Sequence, residues 1–409
     1  MTTDNVLTAL MPSFFRALNM VNNEKTDLID AVTLNADLAQ AVVGQTITYP
    51  IAPAKTTYAI TSQANPLDIN GETAGSGTLS ITNSSAASFK YTGEEQRQLQ
   101  LGGISQFYAD QTAQCIRAIR NEVEAAIATA AGVNACRAIG TQATTPFAFN
   151  GTTTSGMENF ADVMQAMEEN GSPSADLHMI LGTVAAGAAR KIPNLFKANE
   201  AGTDRLLRTG DIGTVEGFAV GVSPQIKTKQ SPSTSSGNTL DGPAAAGPYT
   251  TSQVIKLTGG TGAIAAGSLV TFASDTRQYV VLSSVGGASP TSITIAAPGL
   301  VVSESTGSAV AVVGTGDSTK AWLKNLAFTR DAIHLIARQP MLPVGLGGTA
   351  TGTTGAVGTL IANTLLPDPR SKLVYQIAAW GEHRQVLIEF GLAYGVGVPN
   401  AQNLFQLIG

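Results

Sequence analysis

The stretch TGEEQRQLQLGGISQFYADQTAQCIRAIRNEVEAAIATAA, residues 92–131, decides how the chain folds. It opens with the T-x-x-E pattern of a capping box: the Thr92 hydroxyl is placed to accept the N–H of Glu95, and the Glu95 carboxylate to reach back to the N–H of Thr92. A first helical piece starts there and runs to the Gly102-Gly103 pair, where a break or kink is expected. Beyond the pair, Ile104, Tyr108, Cys115, Ile119, Val123, Ile127 and Ala130 recur at helical steps and form one apolar stripe. The opposite side carries Asp110, Arg117, Arg120, Asn121 and Glu124 and is expected to face water. At 1.5 Å per residue the helix over 104–131 is about 42 Å long, a rod suited to be the spine of a flat subunit.

Upstream, residues 1–43 form a mixed arm in which Leu7, Leu10, Phe14, Phe15 and Leu18 lie near helical spacing. Too short to own a core, it is expected to pack on something else. Residues 44–92 read as an extended β-hairpin loop, with strand regions over 46–49 and 78–82 joined by a Gly-, Asn- and Pro-rich excursion. So long a hairpin with so little apolar content cannot bury itself, and its order is expected to come from a partner surface. Residues 93–140 hold the capped piece and the spine helix.

Downstream, 141–227 mixes helix and strand. MENFADVMQAMEENG (157–171) is an amphipathic helix with Gly171 as its C′ residue. DLHMILGT reads as a strand, VAAGAARKIPNLF as a helix broken at Pro193, and IGTVEGFAVGVSPQI as a pair of strands. TKQSPSTSSGNTLDGPAAAGPY (228–249) reads as a linker with nothing to pack. SQVIKLT, SLVTFAS, QYVVLSSV, TSITIAAP, LVVSE and SAVAVVG follow, divided by glycine-rich turns. They suggest a small antiparallel barrel or sandwich of five or six strands, and 228–318 is taken as linker plus insertion. In NLAFTRDAIHLIARQPMLP (325–343), alternation puts Leu326, Phe328, Ile333, Leu335 and Ala337 on one side and turns His334 outward with Ile336 and Arg338. Residues 319–380 are expected to resume the interrupted domain and 381–409 to add more strands, where Gly391, Gly395 and Gly397 make no GxGxxG fingerprint.

Only 13% of the 409 residues are charged, and 43 are glycine; an average soluble domain is about 25% charged. Such a surface favours a protein largely covered by neighbours. The length calls for two or more domains, or one with large insertions. A net charge of -5 supplies no basic footprint for reading DNA. Cys115 and Cys136 have no CxxC or Cys/His partner and read as buried small residues, not as a zinc site or disulfide framework. No run reaches the length of a membrane span and the start lacks a basic n-region, so synthesis in a cytoplasm is expected.

This order of parts resembles the major capsid (coat) protein of tailed bacteriophages, an α+β, Hong Kong-type capsid fold shared with herpesviruses. It is more closely similar to coat proteins of short-tailed phages with an inserted β-barrel. The resemblance is carried by residues 325–343, the helix 104–131, the barrel-like module and an ending rich in Tyr, Gly and Val, and it spans nearly the whole chain. It implies hexamers and pentamers tiling an icosahedral shell around packaged double-stranded DNA. It also implies a scaffolding protein, a portal protein at one vertex, and room for a decoration protein. DNA would be held non-specifically, with no membrane, cofactor or metal and no enzymatic activity, and the chain would reside in the virion capsid after synthesis in the host cytoplasm. In such a shell the loop lies across a neighbouring subunit, the spine helix and returning strands form a peripheral domain, and the α/β region gathers at capsomer axes as an axial domain. Lys55, Tyr58, Asn70, Glu94, Glu95 and Arg97 are then the candidates for subunit contact. Some relatives of the fold cross-link their loops through lysine and asparagine. Lys55 and Asn70 would be the pair here, but the bond also needs a carboxylate from a neighbour, and a solvated lysine is the simpler reading.

Two other classes compete. A secreted β-rich adhesin or carbohydrate-binding protein would suit the Thr- and Gly-rich modules but not the long helix. An enzyme would have to use His178, His334 or His383 with carboxylates such as Glu382 and Glu389. None of the three histidines sits beside a nucleophile signature or at metal-ligand spacing, which favours structural roles.

Overall fold

A computed structural model describes residues 5–51, 75–100, 104–149, 156–197, 205–247, 249, 251–342 and 359–409. Helices α1 (Asn5–Asn22) and α2 (Asp27–Ala31) open the chain, α3 (Gly93–Gln100) follows the capping box, and α4 (Ile104–Asn134) is the spine. With 31 residues α4 is about 47 Å long. The expected glycine break lies outside the described residues.

Tyr108, Cys115, Ile119, Val123 and Ile127 are buried along α4, as the stripe requires. Two of the charges expected to face water do not, because Arg120 and Glu124 are both 0% exposed, while Gln114, Ala118, Glu122 and Thr129 form the exposed stripe. The arm supplies the cover. Phe14, Ala17, Leu18 and Val21 of α1, with Leu28 and Ile29 of α2, share one core with Ile116, Ile119 and Val123. The i, i+3, i+4, i+7 spacing of that α1 face leaves Phe15 beside it and exposed. What the arm packs on is its own spine helix.

Two large sheets flank α4. The first has six strands: β1 (Thr33–Ala41), β4 (Asn83–Thr92), β16 (His334–Pro340), β17 (Thr359–Pro367), β18 (Val374–Glu382) and β19 (Gln385–Gly397). β19 is its axis. One edge pairs with β4 over 385–394, while the other is shared by β18 over 385–391 and β16 over 393–397. Separate from it, β2 (Thr46–Ile51) and β3 (Gly75–Ser80) pair with each other as a two-stranded sheet.

The second sheet has 12 strands. Its body is β5 (Arg137–Ile139), β6 (Leu177–Leu181), β7 (Thr214–Val215), β8 (Phe218–Val222), β15 (Lys324–Thr329) and β20 (Leu404–Ile408). The helices α5 (Glu158–Glu169), α6 (Thr183–Ala189) and α7 (Pro193–Phe196) belong to this part of the chain. α5 ends in a Schellman motif: Gly171 (φ 70) donates to Glu168 O, and Ser172 to Met167 O.

The remaining strands, β9 (Asn238–Leu240), β10 (Gln253–Thr258), β11 (Leu269–Phe272), β12 (Asp275–Val285), β13 (Ser292–Ile295) and β14 (Ala309–Val312), run in the order β11-β14-β9-β10-β13-β12. A β11–β12 pairing closes the ring into a six-stranded barrel. Leu240, Ile255, Leu257, Val270, Phe272 and Tyr279 are among the side chains that fill it. β12 is long enough to pair with β5 as well, which ties the barrel to the end of the spine helix.

Four expectations are corrected here. The stretch 228–249 is not an unpacked linker, because it contributes β9 and buries Ser233, Ser235 and Asn238. Their short polar side chains bond to one another and to Ser268, so low hydropathy did not mean exposure. Residues 83–92, expected in the ribbon, are instead β4 of the large sheet. The boundary set between 380 and 381 falls inside the β18–β19 hairpin. The stretch 325–343 is a crossover: β15 lies in the second sheet, a 3₁₀ turn over Arg330–Ala332 redirects the chain, and β16 lies in the first. Ile336, expected to point outward with His334, is buried under the root of the β2–β3 hairpin.

Phe390 ties these layers together, meeting Phe14 of α1 edge-on at 5.7 Å and stacking on Phe89 of β4 at 6.4 Å between centroids. Phe390→Ala is expected to destabilise the chain by about 3–5 kcal/mol, read as a lower midpoint in urea unfolding.

Candidate subunit interface

The β2–β3 hairpin is built from a weakly apolar sequence and pairs with no other strand among the described residues. Its root is held by Leu79 and by Ile81 just beyond β3, which pack with Ala41, Ile336 and Ala393. Glycines permit the approach. A Cβ at Gly397 would run into the Leu79 side chain, and one at Gly395 into the Ser80 carbonyl. Across the hairpin the Tyr49 ring lies over Gly77, its register partner, where any side chain would collide with it. Past the root Thr46, Thr48, Pro50, Ser76 and Thr78 are exposed. Gly395 and Gly397, two of the glycines that make no nucleotide fingerprint, are thus what lets the hairpin sit on the sheet.

Lys55, Tyr58 and Asn70 lie outside the described residues. Glu94, Glu95 and Arg97 come together as exposed residues of α3, directly after β4. Glu95 has an internal task. The Thr92 N–H donates to its Oε2 at 2.8 Å and its own N–H donates to Thr92 Oγ1 at 3.3 Å, so the capping box forms. Glu94 and Arg97 carry no part of that box. β4 pairs with β19 alone among the described residues, and Ser85 Oγ and Tyr394 OH both donate to Glu122 of α4.

The charges that sequence reasoning placed on a wet helix face form a seam instead. Arg120 donates to Asn22 Oδ1 at 2.8 Å and Thr26 Oγ1 at 2.6 Å, with Asp368 Oδ2 at 3.8 Å. Arg117 grips Glu24. From the turn after β17, Arg370 reaches Asp27 at 3.1 Å and Asp30 at 2.9 Å. Burial is the main cause that raises the Asp30 carboxyl above its ordinary value. The legible signal was Glu24, Asp27 and Asp30 in the arm, opposite in sign to Arg117 and Arg120.

A second ionic cluster joins α5 to the barrel. Glu169 is shared by Arg137 (2.8 Å) and Arg277 (3.2 Å), and Arg277 also meets Asp275, which accepts the Tyr279 hydroxyl at 2.6 Å. The Arg277 and Arg137 hydrogen bonds hold the Glu169 carboxyl down to about 2. Arg137, Glu169 and Arg277 line a polar cavity of about 470 Å³.

His178 lies inside the sheet on β6, not at its edge, between Phe328 and Ala219 in register. Its Nε2 is 3.3 Å from an Arg330 nitrogen, and burial followed by Arg330 lowers its pKa. His334 takes its place on β16 opposite Thr33 and Gly397, and His383 lies in the β18–β19 turn. Glu389 accepts the Trp380 Nε1–H at 2.8 Å. Among the described residues no group of three or more His, Cys, Asp or Glu is arranged to hold a metal, and no helix is long and apolar enough to cross a membrane.

No protein-family model matches the chain, and no curated protein matches it. Solved structures with similar folds include the capsid structure of the cyanophage P-SCSP1u, 12% identical over 92% of this chain and 86% of that one, with a TM-score of 0.47. They also include a chain of Mycobacterium phage Che8, 11% identical over 90% and 85% with a TM-score of 0.43. A third is a virus-like particle from Pyrococcus furiosus, 8% identical over 97% of both chains, again with a TM-score of 0.43.

Thr92→Ala removes the cap acceptor and is expected to destabilise α3 by about 1 kcal/mol, seen as faster amide exchange within 93–100 and little change in α4.

Proposed function

We propose that the chain is the major capsid protein of a tailed bacteriophage, a structural protein whose copies close as hexamers and pentamers into an icosahedral shell around packaged double-stranded DNA. The observation that carries this reading is the β2–β3 hairpin, a two-stranded ribbon anchored at its root and paired with nothing else described. An isolated hairpin of two strands is marginal in water, so such a ribbon gains order by lying on another copy. The low charge of the chain, 13%, suits a surface that is mostly interface. With net charge -5, the shell would enclose DNA without reading it.

In this reading Lys55, Tyr58 and Asn70 of the ribbon meet a neighbouring subunit, and the exposed Glu94 and Arg97 of α3 contribute to the same contact, with Glu95 serving mainly its cap. The spine helix and six-stranded sheet act as the peripheral domain, the body of the second sheet as the axial domain, and the barrel as an insertion that stiffens the subunit. A scaffolding protein guides assembly, a portal protein occupies one vertex, and a decoration protein is a further partner. Synthesis takes place in the host cytoplasm and the product resides in the virion.

Electron microscopy of the purified chain, with and without a candidate scaffold, is expected to show closed shells or sheets of hexamers. A monodisperse monomer at high concentration, with segment 52–74 resistant to protease, would overturn the reading. Glu94→Ala leaves the capping box intact, so its effect separates assembly from folding. Loss of an exposed ion pair worth about 0.5–1 kcal/mol should raise the concentration needed for assembly roughly 2- to 5-fold, measured by light scattering.

A further inference from the structure

Glu124 is a carboxyl at the meeting point of three parts of the chain. It lies on α4 with no exposure. Its Oε2 accepts the Ser223 hydroxyl at 2.8 Å, just past the end of β8. Its Oε1 is buried and makes no hydrogen bond of good geometry. The N–H of Leu28 in α2 faces the same carboxyl. The charged groups around it are Arg120, one turn earlier on α4, and Asp27 of α2. Arg120 is already engaged by Asn22, Thr26 and Asp368. Asp27 accepts the Val222 N–H at 2.9 Å and pairs with Arg370. Asp27 carries the same charge as an ionised Glu124 and repels it, while Arg120 turns its terminal nitrogens to Asn22 and Thr26 and opposes burial only through its charge, so the Glu124 Oε1 stays in the interior without a hydrogen bond.

We propose that Glu124 is a proton-operated clasp, which fastens the N-terminal arm to the spine helix when neutral and loosens α2 when ionised. An unpartnered buried carboxylate oxygen is costly, whereas protonation removes the charge that burial penalises. Burial, the largest influence, raises the carboxyl to about 7; the Ser223, Leu28 N–H and Arg120 contributions oppose it, and Asp27 adds to it. Because the folded value lies above the ordinary one of 4.5, the closed arm binds the proton more tightly than the open one. Closure is therefore strongest at low pH and weakens as pH climbs from about 4.5 to 7, with a plateau above. This device belongs to the chain itself and stands whether or not copies form shells.

Amide exchange of α2 in the full chain tests it, with each wild-type rate divided by that of Glu124→Gln at the same pH to cancel intrinsic exchange. The ratio is expected to rise roughly 70-fold between pH 5 and pH 8, the factor set by a shift from 4.5 to about 7. A ratio that stays constant across this range overturns the proposal. If Glu124→Gln does not fold, Ser223→Ala against wild type decides. Loss of the donor should carry the end of the rise to higher pH, and an offset that is the same at every pH overturns the clasp.

Discussion

A guanidinium left without partners in an apolar interior would unfold its surroundings, and Arg120 sits in the middle of the longest helix with no exposure. Breaking such a buried pair by removing one partner typically costs about 3–5 kcal/mol. Everything that surrounds Arg120 follows from that constraint. Asn22 and Thr26 must come from the arm and Asp368 from the turn after β17. Asn22 and Ser371 in turn hold the Asp368 carboxylate. Segments separated by more than 340 residues thus meet at one point on the helix, and the arm becomes part of the body.

The two sheets depend on this helix in different ways. The first lies along its apolar stripe, with Phe89, Phe390 and Tyr394 in the shared core. The second meets its C-terminal end, where Arg137 of β5 binds Glu169 at 2.8 Å and lies 5.6 Å from the Phe405 ring. The crossover at Arg330–Ala332 passes the chain from one sheet to the other, and Asn325 seals its start by donating to Leu407 O and accepting the Gly182 N–H. What the two sheets leave over is the hairpin, whose root is fixed and whose flank stays exposed. In a shell, that is where one copy would reach the next.

Local patterns were legible wherever a short-range rule sufficed. The capping box, the Gly171 terminus, the helix broken at Pro193, and the strands β6, β8 and β10–β14 each follow from residues within a few positions of one another. Exposure of charged groups was not legible, because Arg120 and Glu124 look like wet helix positions until the arm folds over them. The same holds for the serines at 233 and 235, which a hydropathy reading assigns to a linker. Of the interface candidates, Glu94, Glu95 and Arg97 are exposed on α3, and one of them, Glu95, has a cap to complete.

The sequence by itself determined the spine, its capped forerunner, the alternation of the strands and a composition poor in charge. Those are consequences of backbone periodicity and side-chain chemistry, which act over a few residues. The tertiary structure alone decided that the barrel closes through β11 and β12, that β19 carries three strands on its two edges, and that the arm clasps its own helix. Each of these joins residues far apart in the chain, where the balance between burying a charge and pairing it depends on partners that no local pattern specifies.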